Sequence, residues 1–237
     1  MKQIILIAIN FVREQRWPIL VLLLWVLALA FLGLATDAGR QREDLLFVFK
    51  QVAVYVVAFS VFFGSSAIYN DRRSRRILSV LSKAIRRGQY LAGLVLGITL
   101  SCAIYCFALG LTGSWTLGEA GFPASQVWFL MLCLVAACAL AGSVALTFST
   151  FLNPFFAAGA TAAVMALPAM ISYTMGSAKW GYVVPVYQLA ATVLKSSFEA
   201  PGTPEWLPIF VALAQAAGFL LLSVRIFSYA DIAVSVE

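Results

Sequence analysis

The chain reads as long apolar runs cut by short polar interruptions. A membrane-crossing helix needs roughly 20 predominantly apolar residues. Six runs have that character: 17–35, 45–69, 90–111, 124–150, 154–175 and 206–226, which we number spans 1 to 6. They predict an all-α, six-span polytopic membrane helix bundle, folded as a single domain over residues 1–237.

Three stretches fall outside the spans. Residues 1–16 pair an apolar half with the polar turn Arg13, Glu14, Gln15, Arg16. Pro18 disfavours helical geometry at Trp17, so the pattern predicts a break there and a separate helix lying in the membrane interface. Asn10, Arg13, Glu14 and Arg16 also stand where a signal peptide needs a small-residue cleavage site, so no cleavable signal is expected. Between spans 4 and 5, Asn153-Pro154 signals a tight turn. Between spans 5 and 6, residues 176–205 hold an apolar piece that Pro185 interrupts and that is too short to cross. A shallow helix or re-entrant hairpin capping the bundle fits it, because irregular backbone at membrane depth must be covered by protein or water.

Composition agrees with a membrane class. The chain is 62% hydrophobic and 11% charged, against roughly half apolar and a quarter charged in soluble domains. Its net charge of +6 does not indicate nucleic acid, since the basic residues flank membrane-length runs. With the N-terminus inside, Lys2, Arg13, Arg16, the seven basic residues from Arg72 to Arg87, and Arg225 are cytoplasmic. Only Arg40, Arg42, Lys50, Lys179 and Lys195 are left for the other side, so both termini are expected in the cytoplasm.

The concentration of charge between spans 2 and 3 asks for an explanation. On a helix, Ile77, Leu78, Leu81, Ala84 and Ile85 make one apolar stripe framed by Arg72, Arg73, Arg75, Arg76, Lys83, Arg86 and Arg87, with Gly88 as a stop. Such a helix at 70–89 suits an anchor on anionic lipid. The sharper reading is a docking element seated in a groove of a soluble partner.

The run "LSVLSKAIRRGQYLAGLVLG" resembles the segment after the second span in type 2 ABC transporter permeases, especially the branch that includes the permease of nitrous-oxide-reductase maturation. Leu81, Ser82, Lys83, Ile85, Arg87, Tyr90, Leu91 and Gly93 stand in register with that motif, and Asp71 holds its upstream acidic position. Ala84, Arg86 and Leu94 depart from it, where the family has Pro, Ser and Lys. "FVREQRW" and "RIFSYADIAV" are similar to the family's two ends, although Ala230 replaces a basic residue. The resemblance implies a coupling helix between spans 2 and 3 that docks on a separate ATP-hydrolysing subunit. Asp71, Ile77, Leu78, Leu81, Ser82, Lys83, Ile85, Arg87 and Tyr90 would form the docking site. It also implies a homodimer or a heterodimer with a second permease, a bacterial inner-membrane location, and a candidate periplasmic partner. ATP and Mg would be bound by the ATPase, with no cofactor in this chain.

The chain's own chemistry is consistent with a non-enzymatic subunit. It has no phosphate-binding G-x-x-x-x-G-K-[ST] loop and no His, which removes His-based zinc hydrolysis, Ser-His and Cys-His dyads, and His-ligated haem. Glu119, Glu199 and Glu205 fall in outer loops, and Glu43-Asp44 reads as an ion cluster with Arg40 and Arg42. Soft thiolates select Cu(I), but Cys102, Cys106, Cys133 and Cys138 carry no CxxC or Met-rich pattern and read as small buried apolar residues. No metal site is expected. Gly93 and Gly97 form a small-xxx-small pair for close helix packing, within the subunit or across a dimer. Gln215, in the middle of span 6, is a candidate for a translocation path or for an interhelical bond. No Asp or Glu lies mid-span, which disfavours ion-coupled secondary transport. The alternatives to an ABC permease are a non-transporting scaffold that recruits a partner through the basic helix, and a secondary transporter.

Overall fold

The computed structural model describes residues 2–35, 42–73, 86–175, 183–199 and 204–229. The described residues form eight helices and no strands: α1 (Lys2–Glu14), α2 (Arg16–Ala35), α3 (Arg42–Arg73), α4 (Arg87–Glu119), α5 (Ala124–Ser149), α6 (Pro154–Met175), α7 (Val186–Lys195) and α8 (Leu207–Tyr229). Within them, Arg42–Asp71, Arg87–Glu119, Ala124–Ser149 and Leu207–Tyr229 are long and apolar enough to cross a membrane. The chain is therefore a helical membrane protein. α2 and α6 are further apolar helices of 20 and 22 residues.

α5 is the axis of the bundle. It is apolar on every face, as a helix must be to be buried all round, and it packs against α3, α4, α6, α7 and α8. Small residues let its neighbours approach closely. A Cβ on Gly64 of α3 would lie 2.7 Å from both the Ala145 Cβ and the Gly142 carbonyl oxygen of α5. A Cβ on Gly142 would lie 2.8 Å from Ile98 of α4. Beside this crossing the buried Ser60 hydroxyl donates to the Cys138 carbonyl oxygen at 2.6 Å.

The turn from α4 to α5 follows from Gly121, whose φ of +91° suits a residue without a Cβ. The Phe122 N–H donates to the Leu117 carbonyl and the Gly121 N–H to the Gly118 carbonyl, a Schellman closure that satisfies two carbonyls at the end of α4. Pro154 opens α6 at its first position, where the missing N–H costs nothing. Asn153 supplies the carbonyl that the Ala157 N–H bonds.

At the N-terminus the predicted break is slighter than expected. A turn at Gln15 separates α1 from α2, but Gln15 N–H bonds the Phe11 carbonyl and Ile19 N–H bonds the Gln15 carbonyl, both at 3.0 Å. Trp17 is helical, because Pro18 falls in the first turn of α2, where N–H groups have no partner within the helix. α1 lies along α4 and exposes Ile5, Leu6 and Ile9.

The segment before α8 contains one short helix, α7, of ten residues. At 1.5 Å per residue it is far too short to span a bilayer. Val186, Leu189, Ala191 and Val193 are its buried residues, and it packs chiefly on α5. Just beyond it Phe198 meets Phe122 edge to face at 5.4 Å. α7 thus covers the end of the bundle that carries the α4–α5 turn, opposite the end where α4 begins.

Candidate docking site at the basic end of the bundle

Ile77, Leu78, Leu81, Ser82, Lys83 and Ile85 lie outside the described residues. Among the described residues, both flanks of that segment are held by side chains of α3, α4 and α8. Asp71 is in the last turn of α3, and Arg87 and Tyr90 are in the first turn of α4. The Tyr90 hydroxyl donates to Asp71 Oδ2 at 2.5 Å, the short distance of a hydrogen bond to a carboxylate. Tyr90 is 1% exposed. Its ring stacks on Phe227 of α8, with centroids 6.3 Å apart.

Arg87 completes the arrangement. A cation in the first turn of a helix opposes the macrodipole, but this guanidinium leaves its own helix for the end of another. Nη1 donates to the carbonyl oxygens of Phe227 at 2.8 Å and Ser228 at 3.0 Å. These belong to the last turn of α8, where carbonyls lack intrahelical donors and favour positive charge. The guanidinium carbon also lies 5.8 Å from the Phe227 ring centroid, within cation–π range. Three helix ends, α3, α4 and α8, are therefore tied at one point.

Gly93 and Gly97 lie one and two turns further along the same helix. They act within the subunit: a Cβ would lie 2.7 Å from Ile7 at Gly93 and 2.9 Å from Phe11 at Gly97, both on α1. The glycines are what let α1 lie in contact with α4. Tyr90, Leu91, Leu94, Ile98, Phe11 and Phe227 form the apolar cluster beneath.

Gln215 ties α8 to a turn rather than to another helix. Its Nε2 donates to the Val183 carbonyl at 2.7 Å, fixing the non-helical backbone that precedes α7. Its Oε1 is buried without a hydrogen-bond partner, as is Oε1 of Gln188. Cys102, Cys106 and Cys138 share one apolar cluster and Cys133 belongs to the next. All four are free thiols. Among the described residues no three His, Cys, Asp or Glu side chains group as a metal site.

Two elements escaped the sequence reading. Ser60 and Gly64, which set the α3–α5 crossing, themselves form a small-xxx-small pair, the signal that could have found them. The role of Phe227 is also invisible in sequence, because its partners Arg87 and Tyr90 are about 140 residues away.

The chain matches no family model, and no curated protein matches it.

Proposed function

We propose that the chain is the six-span permease subunit of an ATP-driven ABC transporter complex. α2, α3, α4, α5, α6 and α8 are its spans, α1 is interfacial, and both termini are cytoplasmic in a bacterial inner membrane. The segment between α3 and α4 is a coupling helix that docks on a separate ATPase. ATP-driven closure of a permease dimer, homomeric or with a sister chain, then performs export or passes force to a periplasmic partner.

The observation that carries this reading is the tie at the base of the basic segment. Asp71, Tyr90, Arg87 and Phe227 bind both flanks of that segment to each other and to the last span. A lipid anchor needs no such bracing, whereas a docking element that receives work must be held stiffly by the helices it moves. The motif at 81–93 and the clustering of positive charge support the same reading.

The experiment is co-purification in nanodiscs with a candidate phosphate-loop ATPase from the same source, comparing wild type with Leu81→Asp. Wild type should retain the ATPase and alter its hydrolysis, and Leu81→Asp should lose both with its helices intact. Retention of the ATPase by Leu81→Asp would make the segment a lipid anchor. Failure of wild type to bind an ATPase would move the scaffold reading ahead.

A further inference from the structure

We propose that the first three turns of α4 are a mechanical hub, and that Arg87 and Tyr90 are positioning residues inside it rather than contacts of the docked partner. This rests on the reading of the basic segment as a docking element.

The argument is one of burial and partners. A side chain that is to meet a docked protein must offer a surface. Tyr90 is 1% exposed and spends its hydroxyl on Asp71 and its ring on Phe227. Arg87 directs Nη1 to two carbonyls at the end of α8. Residues that look like part of a docking motif in sequence are turned inward, towards the bundle.

What they turn towards decides the role. Within eleven residues, from Arg87 to Gly97, α4 meets three other elements. Arg87 and Tyr90 hold the end of α8, Tyr90 holds the end of α3, Gly88 lies under Val224 of α8, and Gly93 and Gly97 seat α1. The basic segment leads directly into this stretch, so a displacement delivered to it enters the bundle here. The ties are of different kinds: a short hydrogen bond to α3, a charge-assisted cap on α8, and side-chain contact with α1. Each can be cut separately.

Hydrogen–deuterium exchange of the full chain in nanodiscs, first with no ATPase added, reads each tie. Arg87→Gln should speed exchange in the last turn of α8 roughly tenfold, the scale of one hydrogen bond from a charged donor. It should leave the end of α3 and the core helix α5 unchanged. Tyr90→Phe keeps the ring on Phe227 and removes only the hydroxyl, so it should loosen the end of α3 and spare α8. Arg87→Lys, which retains a cation, should recover part of the protection at α8. No change at α8 in Arg87→Gln, or an equal rise throughout α5, would overturn the hub.

The ATPase is then added. Both variants should still bind it, because the apolar stripe at 77–85 is intact, while the ATP-induced change at the end of α8 disappears in Arg87→Gln. Loss of ATPase binding in Tyr90→Phe, with exchange at α3 unaltered, would make Tyr90 a docking contact and refute its positioning role. If wild type binds no ATPase, the proposed function fails, and the measurements without ATPase still decide whether the hub exists.

Discussion

Gly64→Ala tests the packing that the whole bundle depends on. The new Cβ would lie 2.7 Å from the Gly142 carbonyl oxygen and 2.7 Å from the Ala145 Cβ, where ordinary contact begins at 3.4 Å. Neither neighbour is the end of a flexible side chain, so α3 must withdraw from α5 by about 0.7 Å, the difference between those distances. That motion would stretch the Ser60–Cys138 hydrogen bond from 2.6 Å to about 3.3 Å, beyond the usual O–H···O range. Overpacking typically costs about 1–3 kcal/mol and a weakened buried hydrogen bond about 1 kcal/mol. The expected loss is thus roughly 2–4 kcal/mol, a fall in Tm of about 4–16 °C at roughly 2–4 °C per kcal/mol for a chain of this size. Gly159→Ala and Gly218→Ala are the controls, because a Cβ there meets nothing within 4 Å. They should be neutral or slightly stabilising, since Ala is the better helix former by up to about 1 kcal/mol. The four buried free cysteines supply the assay, as a thiol-reactive dye is excluded until the bundle opens. A Gly64→Ala protein that melts with wild type, or a Gly159→Ala protein that falls as far, would refute the reasoning.

Two further predictions concern the opposite end and the topology. Gln215→Leu removes the donor to the Val183 carbonyl and should increase exchange at 183–189 while sparing the end of α3, which hydrogen–deuterium exchange would show; unchanged exchange there would mean that Gln215 does not hold the segment. In inverted and right-side-out vesicles, Ser82→Cys should react with an impermeant maleimide only from the cytoplasmic side and Glu199→Cys only from the other. Labelling of both from one side would break the proposed orientation.

How far the fold could be read from sequence depended on whether the controlling physics was local. Helix positions were legible because a membrane-length apolar run is a property of composition alone. The expected 154–175 is the helix observed, and 206–226 differs from α8 by a few residues. α4 was expected to end at 111 but continues to Glu119, because helical hydrogen bonding does not stop where hydropathy falls. The hydroxyls of Thr112 and Thr116 fold back on the Ala108 and Thr112 carbonyls, and the helix ends only where Gly121 permits a positive φ. Gly93 and Gly97 were legible from their spacing, though not their partner. The tie at the basic end was not, since Tyr90 meets Asp71 across 19 residues and Arg87 meets Phe227 across 140. No local pattern encodes a contact made by the return of the last helix.

The two ends of the bundle are held by different means, and this bears on where motion can enter. Towards the middle, α3, α4 and α5 are locked by glycine-mediated contacts at which backbone and Cβ atoms touch. Packed interfaces of that kind resist sliding and transmit displacement. At the basic end, α3 and α8 meet the first turn of α4 through discrete polar and aromatic ties that can strain or release one at a time, while α1 is seated on Gly93 and Gly97. α2 packs mainly on α4. A push on the first turns of α4 would therefore carry α1 and α2 with it and pull on α8 through Arg87, while α5 serves as the fulcrum. On the proposed reading, this end is where a docked ATPase would deliver its energy.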